Sequence, residues 1–329
     1  MAEAKQRVLV LGGTGHIGAA MARHFDASGH AVRATGRQPQ PRPNLADTAI
    51  TQLAGDDTEK GVLEVWLRDT DLVVDAATPY PLWRQGNNPR ALVRAARARM
   101  LRLLDLAAAE GAALIHVSSF TTLPAGGSLQ DRLRLATVRG LHPYFEVKET
   151  VEREALRAIA SGLRGAVLNP AACLGPYDLK PVEQAFIPAL LKGQVKGTVR
   201  HPINVVDVRD VAASAGALFE KGFPTPRVPI FGHNITVEAL SEAICAMAQV
   251  PAPRLRAPIS LGVAGAYWAE TAAALAGRKS PWPSLPILLT AAGRAFAGGA
   301  EQAALGVPIR PLEETLRDAL AWYRAIGRC

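Results

Sequence analysis

The chain has 329 residues, 49% of them hydrophobic and 20% charged, with a net charge of +8. At about 100–200 residues per domain this suits one large α/β unit or two lobes around a sizeable core, and the apolar stretches break well short of the ~18 residues of a membrane span, so no membrane partner is expected. Arginines such as Arg90, Arg94, Arg97, Arg99 and Arg102 are dispersed along what reads as one long solvated helix, and aromatics are few, which argues against nucleic-acid binding by base stacking and leaves a positive field for an anionic cofactor or substrate.

Met1-Ala2-Glu3-Ala4-Lys5 leads straight into a strand, with no signal-peptide core. Arg7–Leu11 is that strand, followed by glycines and the helical pattern Ile17–Phe25. Further strands read at Ala31–Thr35, Ile50–Leu53, Asp71–Ala76, Ala113–Val117 and Gly165–Leu168, with helices near 58–68, 89–110 and 143–161. Strands alternating with helices predict a Rossmann-type doubly wound parallel sheet. Beyond residue 170 prolines multiply. A helix near 208–221 and a strand at Val228–Phe231 are expected to return to the sheet, and helices near 236–249, 260–277, 286–297 and 311–326 to cap it. The expected division is a nucleotide-binding domain at 1–170, with 203–232 returning to it, and a smaller, mostly helical substrate lobe at 171–202 and 233–329. That lobe should close over the carboxyl ends of the strands. Cys173, Cys245 and Cys329 are odd in number and widely spaced; they form neither a disulfide framework nor a metal knuckle, and a reducing cytoplasm is expected.

Gly12-Gly13-Thr14-Gly15-His16-Ile17-Gly18 lies between the first strand and the first helix. Glycines there permit a tight turn and close backbone approach, and the helix amino terminus offers N–H groups to a pyrophosphate. NAD selectivity uses a carboxylate at the end of the second strand, about twenty residues on. Between Asp26 and Asp47 there is none; Arg33 and Arg37 stand there instead. Guanidinium groups suit a 2′-phosphate, so NADP(H) is the expected cofactor, the alternative for both arginines being a solvated surface. Asp56, after the third strand, is placed to accept from the adenine amino group.

Tyr144 and Lys148 are four apart on a predicted helix and share a face. An ammonium beside a phenol favours the phenolate and lowers its pKa, which equips the pair to exchange a proton with a carbonyl or hydroxyl oxygen. Ser118-Ser119 ends the fifth strand, with Thr121 and Thr122 as substitutes for Ser119. The seven histidines lack metal-ligand spacing: His116 reads as a core residue, His142 as a candidate pocket residue and His16 as a neighbour of phosphate. Tyr80, Trp83 and Tyr177 are candidates for an apolar substrate wall, or for packing between lobes.

Together these landmarks resemble the extended short-chain dehydrogenase/reductases, and within them the dihydroflavonol reductase and cinnamoyl-CoA reductase branch. The resemblance covers nearly the whole chain: Gly12–Gly18, Val32–Arg37, Gly55-Asp56, Ala77-Thr78-Pro79, Ser118-Ser119, Tyr144/Lys148 with Glu152, Leu168-Asn169-Pro170, Leu174-Gly175-Pro176, Asn204–Ala212, Ala304-Leu305-Gly306 and Pro311-Leu312. It implies that Ser119 polarises the substrate carbonyl, that Tyr144 is the general acid, and that Lys148 binds the nicotinamide ribose. It also implies that Ala76, Ala77, Thr78 and Pro170 line the cofactor. Two departures stand out. The helix asparagine common in this superfamily is missing from Ala91–Leu106, with Asn87 and Asn88 only near the helix start. Ala172 occupies the place where sugar-nucleotide epimerases usually carry an asparagine, which counts against a UDP-sugar substrate. The expected function is NADPH-dependent reduction of a small or medium carbonyl substrate, or the reverse oxidation of an alcohol, by a possible homodimer. The alternatives are an epimerase or dehydratase that recycles its hydride and a non-catalytic NADP(H) sensor.

Overall fold

A computed structural model describes residues 5–38, 41–84, 88–126, 129–181, 185–280 and 282–329; Met1–Ala4 and Asn87 lie outside the described residues. The chain runs β1 (Arg7–Leu11), α1 (His16–Ala27), β2 (Ala31–Gly36), β3 (Thr51–Ala54), α2 (Val62–Leu67), β4 (Leu72–Asp75), α3 (Pro89–Glu110), β5 (Ala113–Val117), α4 (Leu129–Gly140), α5 (Pro143–Ala160) and β6 (Gly165–Pro170). It continues through β7 (Ala172–Leu174), α6 (Phe186–Leu191), β8 (Gly197–Val199), β9 (Pro202–Asp207), α7 (Val208–Glu220), β10 (Arg227–Ile230), β11 (His233–Thr236) and α8 (Val237–Ala248). The last elements are β12 (Leu255–Ala257), α9 (Ile259–Leu275), α10 (Ser284–Ala292), α11 (Ala300–Leu305) and α12 (Leu312–Ala325).

Seven parallel strands form one sheet in the order β10-β6-β5-β4-β1-β2-β3. This is the doubly wound Rossmann-like α/β architecture, and its strand order reverses between β1 and β4, where such sheets open a ligand crevice. The inner strands are continuous apolar runs because both faces are covered. Met21, Phe25, Val211 and Leu218 of α1 and α7 fill one side, and Leu63, Leu103, Val147 and Val151 of α2, α3 and α5 the other. Residues 202–207, just ahead of the returning α7 and β10, pair instead in a three-stranded sheet, β11-β9-β7. α6, α8 and α12 close over it through Ile187, Leu240, Ile244 and Leu316. Asp207 receives Arg209 and the Thr315 hydroxyl, and Asp210 receives Arg310, so the Asn204–Ala212 motif acts as a charged bolt to the last helix.

Several segments differ from the expectation: the short strands β7, β8, β9, β11 and β12 and the short helices α6 and α11 add to it, and three helices depart from it. The helix expected over 58–68 begins only at Val62, because Thr58 is turned back to donate its N–H and hydroxyl to Asp56 Oδ1 (2.9 and 2.7 Å). The helix expected over 286–297 ends at Ala292, where Gly293 becomes extended. The sequence gives no sign of α4: of its described side chains Leu135 and Val138 alone join a core cluster, too few to make a stripe among its arginines.

The sheet reversal depends on backbone meeting backbone. A Cβ on Gly18 would fall on the carbonyl oxygen of Gly12, which cannot rotate away. Gly18→Ala should therefore cost about 1–3 kcal/mol, as overpacking does, and abolish dinucleotide binding; urea unfolding and cofactor titration check both.

Candidate active site

The glycine loop lies where the resemblance requires. Gly12 has φ +70°, and a Cβ there would come 2.8 Å from Ala76 O and 3.1 Å from Ala77 Cα, so β1 and β4 touch through bare backbone. Gly12 N–H donates to Thr35 Oγ1 (3.1 Å) and Gly15 N–H to Gly12 O (2.9 Å). Thr14 O accepts from Asn44 Nδ2 (3.1 Å). Gly15 is exposed at the mouth of α1, while Ile17 packs inward. No acidic side chain occupies the first turn of α1, which leaves its N–H groups and partial positive charge to an anion. Two buried polar atoms nearby have no hydrogen-bond partner, His16 Nε2 and Thr78 Oγ1. A glycine cradle, an uncommitted helix amino terminus and two such atoms fit a dinucleotide. Burial lowers the His16 pKa, which keeps the ring neutral. Pro170 ends β6 and is buried.

The arginines part company. Arg33 is not brought to the loop: Nη2 donates to Arg68 O (3.0 Å) and Thr70 Oγ1 (2.7 Å), just ahead of the amino end of β4. This corrects its expected cofactor role, because a mid-strand residue reached the opposite end of the sheet from the crevice. Arg37 lies exposed just past the carboxyl end of β2. It is close enough to help hold the Asp56 carboxyl below its ordinary pKa, an effect led by the hydrogen bonds from Thr58.

Beneath the crevice runs a buried charged chain that sequence reasoning missed. Asp75, at the end of β4, accepts from Arg99 Nη2 of α3 (2.9 Å) and pairs with His116 Nδ1 of β5 (2.9 Å). Arg99 also binds Asp57. Burial alone would raise the Asp75 carboxyl, yet Arg99 and His116 bring it well below the carboxylate range. Arg99 looked like one more member of a solvated stripe; the signal was a carboxylate ending a wholly apolar strand. His116 is the core histidine expected of it, its Nδ1 paired with Asp75 while its buried Nε2 has no partner.

Tyr144 and Lys148 are both buried on α5. Four residues of helix separate their backbones by about 6 Å, and Lys148 turns aside to donate from Nζ to Val117 O (3.1 Å). Burial lowers the Lys148 ammonium to about 8, opposed by the charges of Asp75 and Glu152. The phenol moves the other way from the sequence argument. Burial pushes it well above the tyrosine range, the Ser119 and Thr121 hydroxyls pull it partly back, and Lys148 is not among the principal influences. The net shift is upward because burial of the phenol outweighs the charges around it, and the ammonium is engaged elsewhere.

Ser119 follows β5, its Oγ accepting from Thr121 N (3.2 Å) and Thr121 Oγ1 (3.0 Å). Thr121 thus shares the position with Ser119, whereas Thr122 turns away to donate to Ser119 O (2.7 Å). The turn is held from below by Glu152, which accepts from Asn169 Nδ2 (2.9 Å) and binds Ser118 and Arg227. Glu152 is four residues past Lys148, a spacing that marks it as part of the same helix face.

Above Tyr144 the surroundings are apolar. Its ring meets Tyr80 and Phe145 edge-on at 5.4 and 5.5 Å and shares a cluster with Leu135, Val138, Leu285, Leu288 and Ala291 of α4 and α10. Trp83 instead ties its loop to Ser280 O (2.8 Å), and Tyr177 packs on Trp322 and Arg23, so of the three aromatics Tyr80 reaches Tyr144. Among the described residues no group of three or more His, Cys, Asp or Glu side chains could hold a metal ion.

The model of the NAD dependent epimerase/dehydratase family matches residues 8–221, from the first strand through α7. The chain belongs to that family. That family is one of NAD(P)-dependent enzymes. It is 27% identical to "Putative dihydroflavonol 4-reductase" of Synechocystis sp., over 97% of this chain and 94% of that one. It is 26% identical to "Sterol demethylase protein B" of Methylococcus capsulatus, over 97% and 98%. In fold it is similar to a nucleoside-diphosphate-sugar epimerase from Pseudomonas aeruginosa, with a TM-score of 0.75 and 21% identity over 99% of both chains.

His142 caps α5 at Tyr144 itself, its Nδ1 accepting from Tyr144 N–H (3.2 Å). Burial, helped by Arg84, lowers its pKa from 6.5 to about 4. A base whose folded pKa is depressed stabilises the fold above its unfolded value and withdraws that contribution as pH falls towards the folded one. Thermal stability should therefore fall between pH 6.5 and about 4. His142→Asn, which keeps a capping oxygen without a titrating ring, should flatten part of that slope in melting curves.

Proposed function

We propose that the chain is an NADPH-dependent oxidoreductase that reduces a carbonyl of a small or medium organic substrate, with Tyr144 as proton donor. The observation that carries this reading is the Tyr144 phenol, buried among apolar side chains with the Ser119 and Thr121 hydroxyls close enough to act on it. That phenol is protonated at neutral pH, the state from which it can give a proton but not take one. A reductase needs that state at the start of its cycle. An epimerase or dehydratase that first oxidises an alcohol needs the phenolate, and Ala172 offers no amide to a sugar nucleotide. A non-catalytic sensor has no use for a buried hydroxyl trio.

A dihydronicotinamide held by the glycine loop and Lys148 would supply the hydride, the reaction's two electrons. As charge grows on the carbonyl oxygen, Ser119, oriented by Thr121, donates a hydrogen bond to it. Tyr144 then passes its proton to that oxygen, which completes the alcohol. Lys148 uses one of its three donors on Val117 O and keeps two for a ribose hydroxyl and for the tyrosinate left behind. NADP(H) over NAD(H) is supported by Arg37, exposed past β2 with no carboxylate between Asp26 and Asp47 to compete. Three free cysteines, one of them exposed, support a reducing compartment.

Purified protein should oxidise NADPH in the presence of some aldehyde or ketone and do so faster than NADH. Tyr144→Phe should lower turnover at least ~100-fold, the scale of general acid catalysis, while NADPH binding, read by fluorescence, is retained. A Tyr144→Phe enzyme with undiminished turnover would sink the assignment.

A further inference from the structure

We infer that the outer face of α9 docks on an anionic lipid bilayer. Helix α9, ISLGVAGAYWAETAAAL, is apolar on all sides, a pattern that normally marks a helix covered all round. Here one side alone is covered. Ile259 and Val263 join the α10 cluster that includes Tyr144. Its one charged residue, Glu270, turns inward to accept from Ser284 N (2.6 Å) and Arg84 N (3.3 Å). The Arg84 guanidinium lies 3.9 Å from the Tyr267 ring centroid and donates to Thr271 Oγ1 (2.9 Å). The opposite side carries Leu261, Trp268 and Leu275, each seven residues from the next and 64%, 67% and 87% exposed, with Trp282 (67%) just beyond. Exposed Ala264, Gly265 and Ala272 fill the stripe between them, and no charge interrupts it.

Charge decides the occupant. From residue 243 to 300 the one acid is the inward Glu270, against five bases, Arg254, Arg256, Arg278, Lys279 and Arg294. Arg256 is paired with Glu238 and Glu242, but Arg254 ahead of α9 and Arg278 and Lys279 behind it are exposed. An apolar stripe bearing tryptophan and bracketed by bases suits the boundary between anionic headgroups and acyl chains. No described helix is long and apolar enough to cross a membrane, so α9 would lie on the surface. A second copy fits less well: a helix of this length offers about 25 Å by 10 Å, or ~250 Å², against the ~800 Å² per partner of a stable interface. The expectation of no membrane partner rested on spanning segments alone and did not address a surface helix. Arg84 and Glu270 tie this face to the loop that holds Tyr80 against Tyr144, so the lipid-facing wall and the wall of the substrate pocket are one piece.

Co-sedimentation of the full chain with phosphatidylcholine vesicles, with and without phosphatidylglycerol, tests this. The wild type should pellet with the anionic vesicles, and Trp268→Ser/Leu275→Ser should bind them at least ~10-fold more weakly with an unchanged melting curve. Failure of the wild type to pellet, or equal binding by the double variant, overturns the inference. A wild-type dimer that the double variant dissolves in sedimentation velocity also overturns it and assigns the face to a second copy.

Discussion

The carboxylate of Asp75 is the interaction on which the site depends. It ends a strand with no solvent-exposed side chain, at the point where the sheet reverses, and a buried charge there is tolerable only if paired and hydrogen-bonded. Arg99 and His116 meet that demand from α3 and β5, and Ala77 N–H donates to the same carboxylate (3.3 Å). The pairing therefore fixes the spacing of three elements and the path of the backbone that Gly12 must pass at close range. Its negative charge also raises the ammonium of Lys148 against the cost of burial.

Desolvation acts on the site as a whole. It moves the Tyr144 phenol up and the Lys148 ammonium down, so that each favours its neutral form and neither group alone can be treated at its solution value. The apolar roof from α4 and α10 that excludes water is also what holds the phenol protonated. One physical cause thus supplies both the low-dielectric chamber and the proton donor. The polar counterweight comes from below, where Glu152, Asn169 and Arg227 hold the turn carrying Ser119 and Thr121.

The sequence made legible whatever is local. Short apolar runs announced the strands, and the glycine loop between a strand and a helix announced the reversal point, although the backbone that Gly12 meets lies at Ala76 and Ala77. What escaped depends on partners distant in the chain. Arg99 could not be told from Arg97 or Arg102 until Asp75 was placed beside it. Arg33 and Arg37 looked equivalent until the strand direction sent one to Thr70 and left the other at the crevice. The Tyr144–Lys148 spacing was read correctly as a shared helix face, but the effect of the lysine on the phenol was not, since burial of both groups outweighs their mutual charge. Helix α4 was invisible because it buries too few side chains to leave a periodic signature.

The central claim is that burial poises Lys148 to titrate near neutrality and that its charged form holds the cofactor. The pH dependence of NADP(H) affinity tests it most directly. With Lys148 at about 8, the dissociation constant should be level below that pH and should rise above it by up to about tenfold for each pH unit. Lys148→Met should bind more weakly and without that rise. A wild-type constant that stays level from about pH 6 to about pH 10, or a Lys148→Met profile that keeps the same rise, would contradict it.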